Sequence, residues 1–314
     1  MSLISIPAGL LWLLGGVGAF LALATLIGQI LKRRRPQGHA VIANLNARIA
    51  AWWVMVALLA LAFLAGRAGV VLLFAALAAL SLREFLKVTA CGRADIWVIT
   101  GVYAIVLPVQ FWAVYIDWYG FYTVFIPVYA FLLMPAVAAL AGGSSGFMAR
   151  AAETQWGLMV CVYGLSHVPA ILSLTIPGGE AQHIQLIAWL IFTVQLSDVM
   201  QYIWGKLAGR HKLAPELSPS KTWEGMIGGV ASAVAVATAL WSLTPFSPAG
   251  AALMALVVTL MGTLGGLVMS AIKRDKGVKD WGAVIAGHGG FLDRLDSVIF
   301  SAPIFFHLTR YYWT

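Results

Sequence analysis

Apolar stretches of the ~20 residues needed to cross a hydrocarbon core recur along the whole chain, and that recurrence limits the fold more than any other feature. No polar segment between them is long enough to fold as a separate soluble domain. The composition agrees, with 61% hydrophobic and 10% charged residues and a mean hydropathy of +0.89 over 314 residues, far from soluble averages. The expected class is an all-α polytopic integral membrane protein. Its ten expected transmembrane helices cover about 6–31, 49–66, 68–83, 96–115, 119–141, 156–176, 184–204, 225–244, 248–272 and 291–311. The two short runs flanking Arg67 could instead form a re-entrant pair. The first run, Ile4 to Leu31, is too long for the apolar part of a signal peptide and has its basic cluster, Lys32 to Arg35, behind it, so it reads as a retained helix.

Alternating spans place the loops after the first, third, fifth, seventh and ninth on one side, and seventeen of the 20 lysines and arginines fall there. The positive-inside rule makes these loops cytoplasmic and both termini external, as in a multi-pass protein of the cell inner (cytoplasmic) membrane. The net charge of +8 then reflects topology and anionic membrane lipids, and no nucleic-acid partner is expected, because no basic groove interleaved with aromatics is present. Tryptophan and tyrosine at span ends, such as Trp112, Tyr115, Trp118, Tyr311 and Tyr312, read as interfacial anchors. Cys91 and Cys161 have neither metal-ligand nor disulfide spacing. The segment Gly142-Gly143-Ser144-Ser145-Gly146 divides a bland half, 1–141, from a half, 142–314, that carries polar loops at 205–224 and 273–290, within one membrane domain overall.

Those two loops hold the chemistry-bearing residues. In the first, Ser218-Pro219-Ser220-Lys221-Thr222-Trp223-Glu224-Gly225 reads as a helix capped by Ser218 and begun by Pro219, with amides, Lys221 and Thr222 turned to a phosphate. The alternative is an ordinary capped helix with a snorkelling lysine. The second loop contains Ser270, Lys273, Arg274, Lys279, Asp280, His288, Gly289 and Gly290, and then Asp293, Arg294 and Asp296 open a span. Carboxylates entering a membrane are costly unless paired or metal-bound. Asp293 and Asp296 share a helical face, and two hard oxygen ligands suit Mg²⁺ holding substrate phosphates. Inside the seventh span Gln195, Asp198, Gln201 and Tyr202 are expected on one face, with Asp198 buried and paired to a metal or to a cation from the two loops, Lys206 being a turn or two away. A network of interhelical hydrogen bonds would also account for them. His167 reads as packing.

The second loop resembles the signature of the phosphatidate cytidylyltransferases, or CDP-diacylglycerol synthases, through Ser270, Lys273-Arg274, Lys279-Asp280, His288-Gly289-Gly290 and Asp293-Arg294-Leu295-Asp296. The first loop is similar to that family at Ser218 to Gly225, and so are Asp198, Tyr202 and Gly205. Ala286 departs from the usual turn residue but removes no ligand. The resemblance covers roughly 195–298 and implies a nucleotidyltransferase of phospholipid biosynthesis, CTP plus phosphatidate giving CDP-diacylglycerol and diphosphate, with Mg²⁺ and a second, monovalent cation. On this reading Asp293, Asp296 and Asp198 hold metal, and Lys279, Asp280 and His288 join Asp293 and Asp296 as catalytic groups. Ser218, Lys221, Thr222, Ser270, Lys273, Arg274, Gly289, Gly290 and Arg294 bind substrate, His288 and the glycine amides meeting the departing diphosphate. A homodimer is compatible with it. The competing readings are a CTP-dependent lipid-alcohol kinase and a secondary ion-coupled transporter, although the polar groups gather at one membrane face instead of the midplane of repeated halves.

Overall fold

The computed structural model describes residues 8–34, 40–89, 95–142, 144–177, 182–284 and 289–314. His288, Ala286 and Cys91 lie outside them. Among the described residues ten long helices follow in order: α1 (Ala8–Arg34), α2 (Ala40–Leu64), α3 (Gly66–Val88), α4 (Ile96–Tyr115), α5 (Tyr119–Ala141), α6 (Phe147–Ser173), α7 (His183–Leu207), α8 (Trp223–Ala239), α9 (Pro248–Asp275) and α10 (Leu292–Trp313). Eight are long and apolar enough to cross a membrane by length and composition alone. The other two are α8, with 17 residues, and α10, whose 22 residues span about 33 Å but carry Asp293, Arg294, Asp296 and Arg310. The protein is thus an all-α polytopic membrane protein. The residues around Arg67 form two full helices, with Gly66 at φ 67° making the break between them.

Burial is uneven. In the apolar window of α6, 78% of residues are buried, against 11% in α1, so α6 is central and α1 peripheral. Around α6 pack Phe74, Leu82 and Phe85 of α3, Trp189 of α7, and Phe305 and Phe306 of α10. His167 is fully buried among Tyr122, Tyr163 and Phe306, its Nδ1 at 2.8 Å from the Tyr163 carbonyl, which is the packing role expected of it. Cys161 is a buried free thiol.

The segment between α7 and α8 corrects one expectation. Ser218 does not cap a helix starting at Pro219. Ser218–Thr222 is a strand, β2, antiparallel to β1 (Lys212–Ala214), and a two-stranded ribbon leaves Pro219 on an edge where a missing N–H is tolerated. The helix starts one residue after the strand, with Thr222 as its N-cap, the hydroxyl accepting the Gly225 N–H at 3.1 Å. From there α8 lies against α7 so closely that a Cβ on Gly229 would sit 2.6 Å from Gln201 Cα. Small residues permit such backbone approach in membrane helices, and here it fixes the ribbon over the mouth of the α7, α9 and α10 bundle.

Candidate active site

The ribbon brings Lys221 to α9. A Cβ built on Gly266 would stand 2.9 Å from Lys221 Nζ, 3.9 Å from Asp296 Oδ2 and 4.0 Å from Ser297 Oγ, so the missing side chain at Gly266 is the space into which the ammonium reaches. Asp198 of α7 and Asp296 of α10 meet there through Ser297. The Ser297 hydroxyl donates to Asp198 Oδ2 at 2.8 Å and lies 3.4 Å from Asp296 Oδ1, which also accepts the Ser297 N–H at 2.8 Å. Both aspartates are half-buried, and Asp198 is therefore more accessible than its place in the span suggests. Lys221 and Arg294 lie within electrostatic reach of both. Among the described residues no donor reaches the second oxygen of either carboxylate, and the buried Arg294 Nε has no partner.

Asp293, less than one turn before Asp296 on α10, is engaged by other partners. Asp293 Oδ1 accepts from Lys273 Nζ at 2.8 Å, and Oδ2 accepts the backbone N–H groups of Trp281 and Gly290, each at 2.9 Å. Lysine and aspartate are both buried. The loop that delivers Trp281 leaves α9 through a Schellman turn, with Gly277 at φ 69°, its N–H on the Arg274 carbonyl and that of Val278 on the Lys273 carbonyl. Gly289, at φ 85°, would with a Cβ stand 2.7 Å from Asp293 Oδ2, so only glycine serves there. Sequence reasoning placed the Gly290 amide against a substrate anion; in the structure Asp293 already occupies it.

The remaining expected residues are distributed as follows. Ser270 donates to the Gly266 carbonyl at 2.6 Å, and Arg274 to the Val278 carbonyl at 3.1 Å. Lys279 and Asp280 are exposed at the loop surface, and Ser218 is half-buried in β2. Gln195 and Gln201 face the bundle, the first donating to the Arg294 carbonyl at 3.2 Å, the second to Ser197 and Thr263 at 2.9 Å. Tyr202 lies on the same side of α7 but nearer its end, outside the buried part. It is 62% exposed with Lys206 over its ring at 5.8 Å, and the cations within reach of Asp198 are Lys221 and Arg294, not Lys206. At the ribbon, the Arg210 backbone N–H and the His211 ring hold the Glu224 carboxyl down to about 2.

One carboxylate was missed altogether. Glu84 of α3, from the half that reads as bland, is buried against the start of α10. A lone acid in a helix apolar enough to cross a membrane is a signal in itself, but the third span was expected to end at 83.

As a test of the implied Mg²⁺, among the described residues no three of His, Cys, Asp and Glu converge as a cage. Asp198 and Asp296 nevertheless offer hard oxygens without protein donors beside an orphaned arginine nitrogen, and Mg²⁺ commonly takes one or two carboxylates and completes its shell with water and substrate phosphates. The donor set fits the ion.

YnbB, an uncharacterized protein of Escherichia coli, is 35% identical over 297 residues, 93% of this chain and 96% of that protein. A phosphatidate cytidylyltransferase of Staphylococcus aureus is 44% identical over 128 residues, 40% of this chain and 48% of the relative. Another, of Mycobacterium leprae, is 44% identical over 119 residues, 37% of each chain. The stretches shared with these two enzymes thus span about half of their length or less. Residues 46–312, which include every carboxylate and lysine of the site, match the cytidylyltransferase family model, and the chain therefore belongs to the cytidylyltransferase family of nucleotidyltransferase enzymes.

Proposed function

We propose that this enzyme transfers the cytidylyl group of CTP to phosphatidate, giving CDP-diacylglycerol and diphosphate, at the cytoplasmic face of an inner membrane. The observation that carries the reading is the Asp198–Ser297–Asp296 bridge beside Lys221, a polar site at the end of an otherwise apolar bundle where a lipid headgroup and a soluble nucleotide can meet. The names of the S. aureus and M. leprae relatives support the same substrate pair.

The phosphate monoester of phosphatidate is already an anionic nucleophile, so no general-base triad is required. One of its oxygens attacks the α-phosphorus of CTP. The bond from that phosphorus to the α,β-bridging oxygen breaks, and diphosphate leaves with the electron pair. Two polyanions have to be brought together in line, which makes charge neutralisation and positioning the main requirements. Mg²⁺, when bound through Asp198 and Asp296, supplies positive charge to the triphosphate. Lys221 and Arg294 add charge from two sides of that pair. Ser297 orients Asp198 through its hydroxyl and Asp296 through its backbone N–H. Lys273, held by Asp293, sets the local field, and the exposed Arg274 and Lys279 attract the nucleotide and the headgroup. Asp280 orients Lys279, and His288 meets the leaving diphosphate. Ser218, Thr222 and Ser270 shape the ribbon and the α9 wall around the substrates, and Gly289 and Gly290 let the loop fold onto Asp293.

The test is release of diphosphate from labelled CTP by purified protein in detergent with phosphatidate and Mg²⁺. Phosphatidate-dependent diphosphate with a CDP-lipid product, lost on chelation, is expected. CDP release with a lipid alcohol would replace this reading with a kinase, and no CTP chemistry at all would overturn it.

A further inference from the structure

Glu84 lies in the last turns of α3, 6% exposed. Its Oε1 accepts the Phe291 N–H at 3.1 Å and its Oε2 the Leu292 N–H at 2.9 Å. These amides open α10, and a helix start leaves such donors without intrahelical partners at the positive end of the dipole. The loop is shaped to the carboxylate, since a Cβ on Gly282 would stand 2.8 Å from Oε1 and one on Gly290 would come closer still. The neighbouring Phe85 stacks on Trp281, ring centroids 5.2 Å apart and planes at 22°, and the backbone N–H of Trp281 is one of the donors to Asp293. Behind α3, Gly157 of α6 fits within 3.1 Å of Leu82 and Phe85 on the same measure. The end of α3 is therefore anchored in the core on one side and grips the active-site loop on the other.

We propose that Glu84 is a positioning residue for the transfer reaction. It holds the 289–292 backbone, and through it the Lys273–Asp293 pair and, a turn further on, Asp296 and Ser297. The proposal rests on the cytidylyl-transfer reading. A carboxylate suits the task because it presents two acceptors to two neighbouring N–H groups, whereas a glutamine presents one. Glu84 touches no substrate in this arrangement, and its effect passes through the backbone it caps.

The experiment compares full-length wild type, Glu84→Gln and Glu84→Ala in detergent by two readouts. The first is amide hydrogen exchange over 289–295, with α8 as internal reference. The second is kcat and KM for CTP with phosphatidate and Mg²⁺. In Glu84→Ala, exchange at 290–292 is expected to rise about tenfold or more with α8 unchanged. Its kcat should fall about 30-fold while KM stays within about threefold, the pattern of lost alignment rather than lost binding. Glu84→Gln, which keeps the shape and one acceptor, falls between and carries the test if the alanine variant does not fold. Unchanged exchange overturns the proposal, and so does faster exchange with kcat within about twofold of wild type, which reduces Glu84 to a structural cap. A wild type without turnover overturns the reaction proposed above, not the anchoring, which the exchange readout then supports by lost protection or overturns by its retention.

Discussion

Two groups of carboxylates meet at the head of α10, and they differ in what their oxygens bind. Glu84 and Asp293 have every oxygen engaged by protein, four backbone N–H groups and one lysine between them. Asp198 and Asp296 share a single hydroxyl and one amide and keep an oxygen each without a donor among the described residues. A buried acid with all its acceptors satisfied stabilises the fold around it. Two like charges held half-open beside each other are tolerable only where a cation and a ligand are expected. The motif residues Asp293 and Asp296, alike in sequence, thus differ in the structure: the first is bound into the loop, and the second keeps an oxygen without a donor among the described residues, as the proposed substrate-facing role requires.

The sharpest way to break that comparison is to neutralise one member of each group. Asp296→Asn and Asp198→Asn should each lower turnover about 10³-fold with thermal midpoints at or above wild type, since a repulsion is removed. Loss of fold with activity per folded molecule intact would reverse the assignment. Asp293→Ala should cost about 3–5 kcal/mol by stranding the Lys273 ammonium, measured by denaturant unfolding in detergent. A second change, Lys273→Met, should recover part of that cost. Gly266→Ala should push Lys221 aside and raise KM for CTP about tenfold at little cost in stability. The smallest effect is expected at the ribbon. The folded-state carboxyl of Glu224 lies at about 2, below its ordinary 4.5, so its contribution is fully present above about pH 4.5 and is lost as pH falls towards 2. Protease sensitivity of 205–224 should therefore be flat from pH 7 to 5 and rise below that, and Glu224→Gln should remove the dependence.

Most of the fold was legible because hydropathy alone sets where helices cross lipid. Each of the ten expected spans falls on a helix among the described residues, with shifts at the ends, and eight of these helices are long and apolar enough to cross a membrane. The Ser218 segment was misread because Ser-Pro is a helix-start signal whose outcome here depends on Lys212–Ala214 being able to pair with it, a contact invisible to local rules. The site was legible as a list of residues but not as a division of labour. Which oxygens are already taken depends on where a loop returns, and the Gly290 amide could be given to a phosphate or to Asp293 with equal justice from sequence. Glu84 was the hardest to see, since it sits 207 residues before the first amide it caps.

That separation bears on how the protein comes to be made. Helices enter the membrane in the order of synthesis, and α3 is in place long before α10 leaves the ribosome. Until then Glu84 is an acid without its two amides, Asp198 lacks the serine that orients it, and Lys273 has no counter-ion. The nascent chain accordingly carries an inert, incomplete centre from the synthesis of α3 until α10 arrives and closes it.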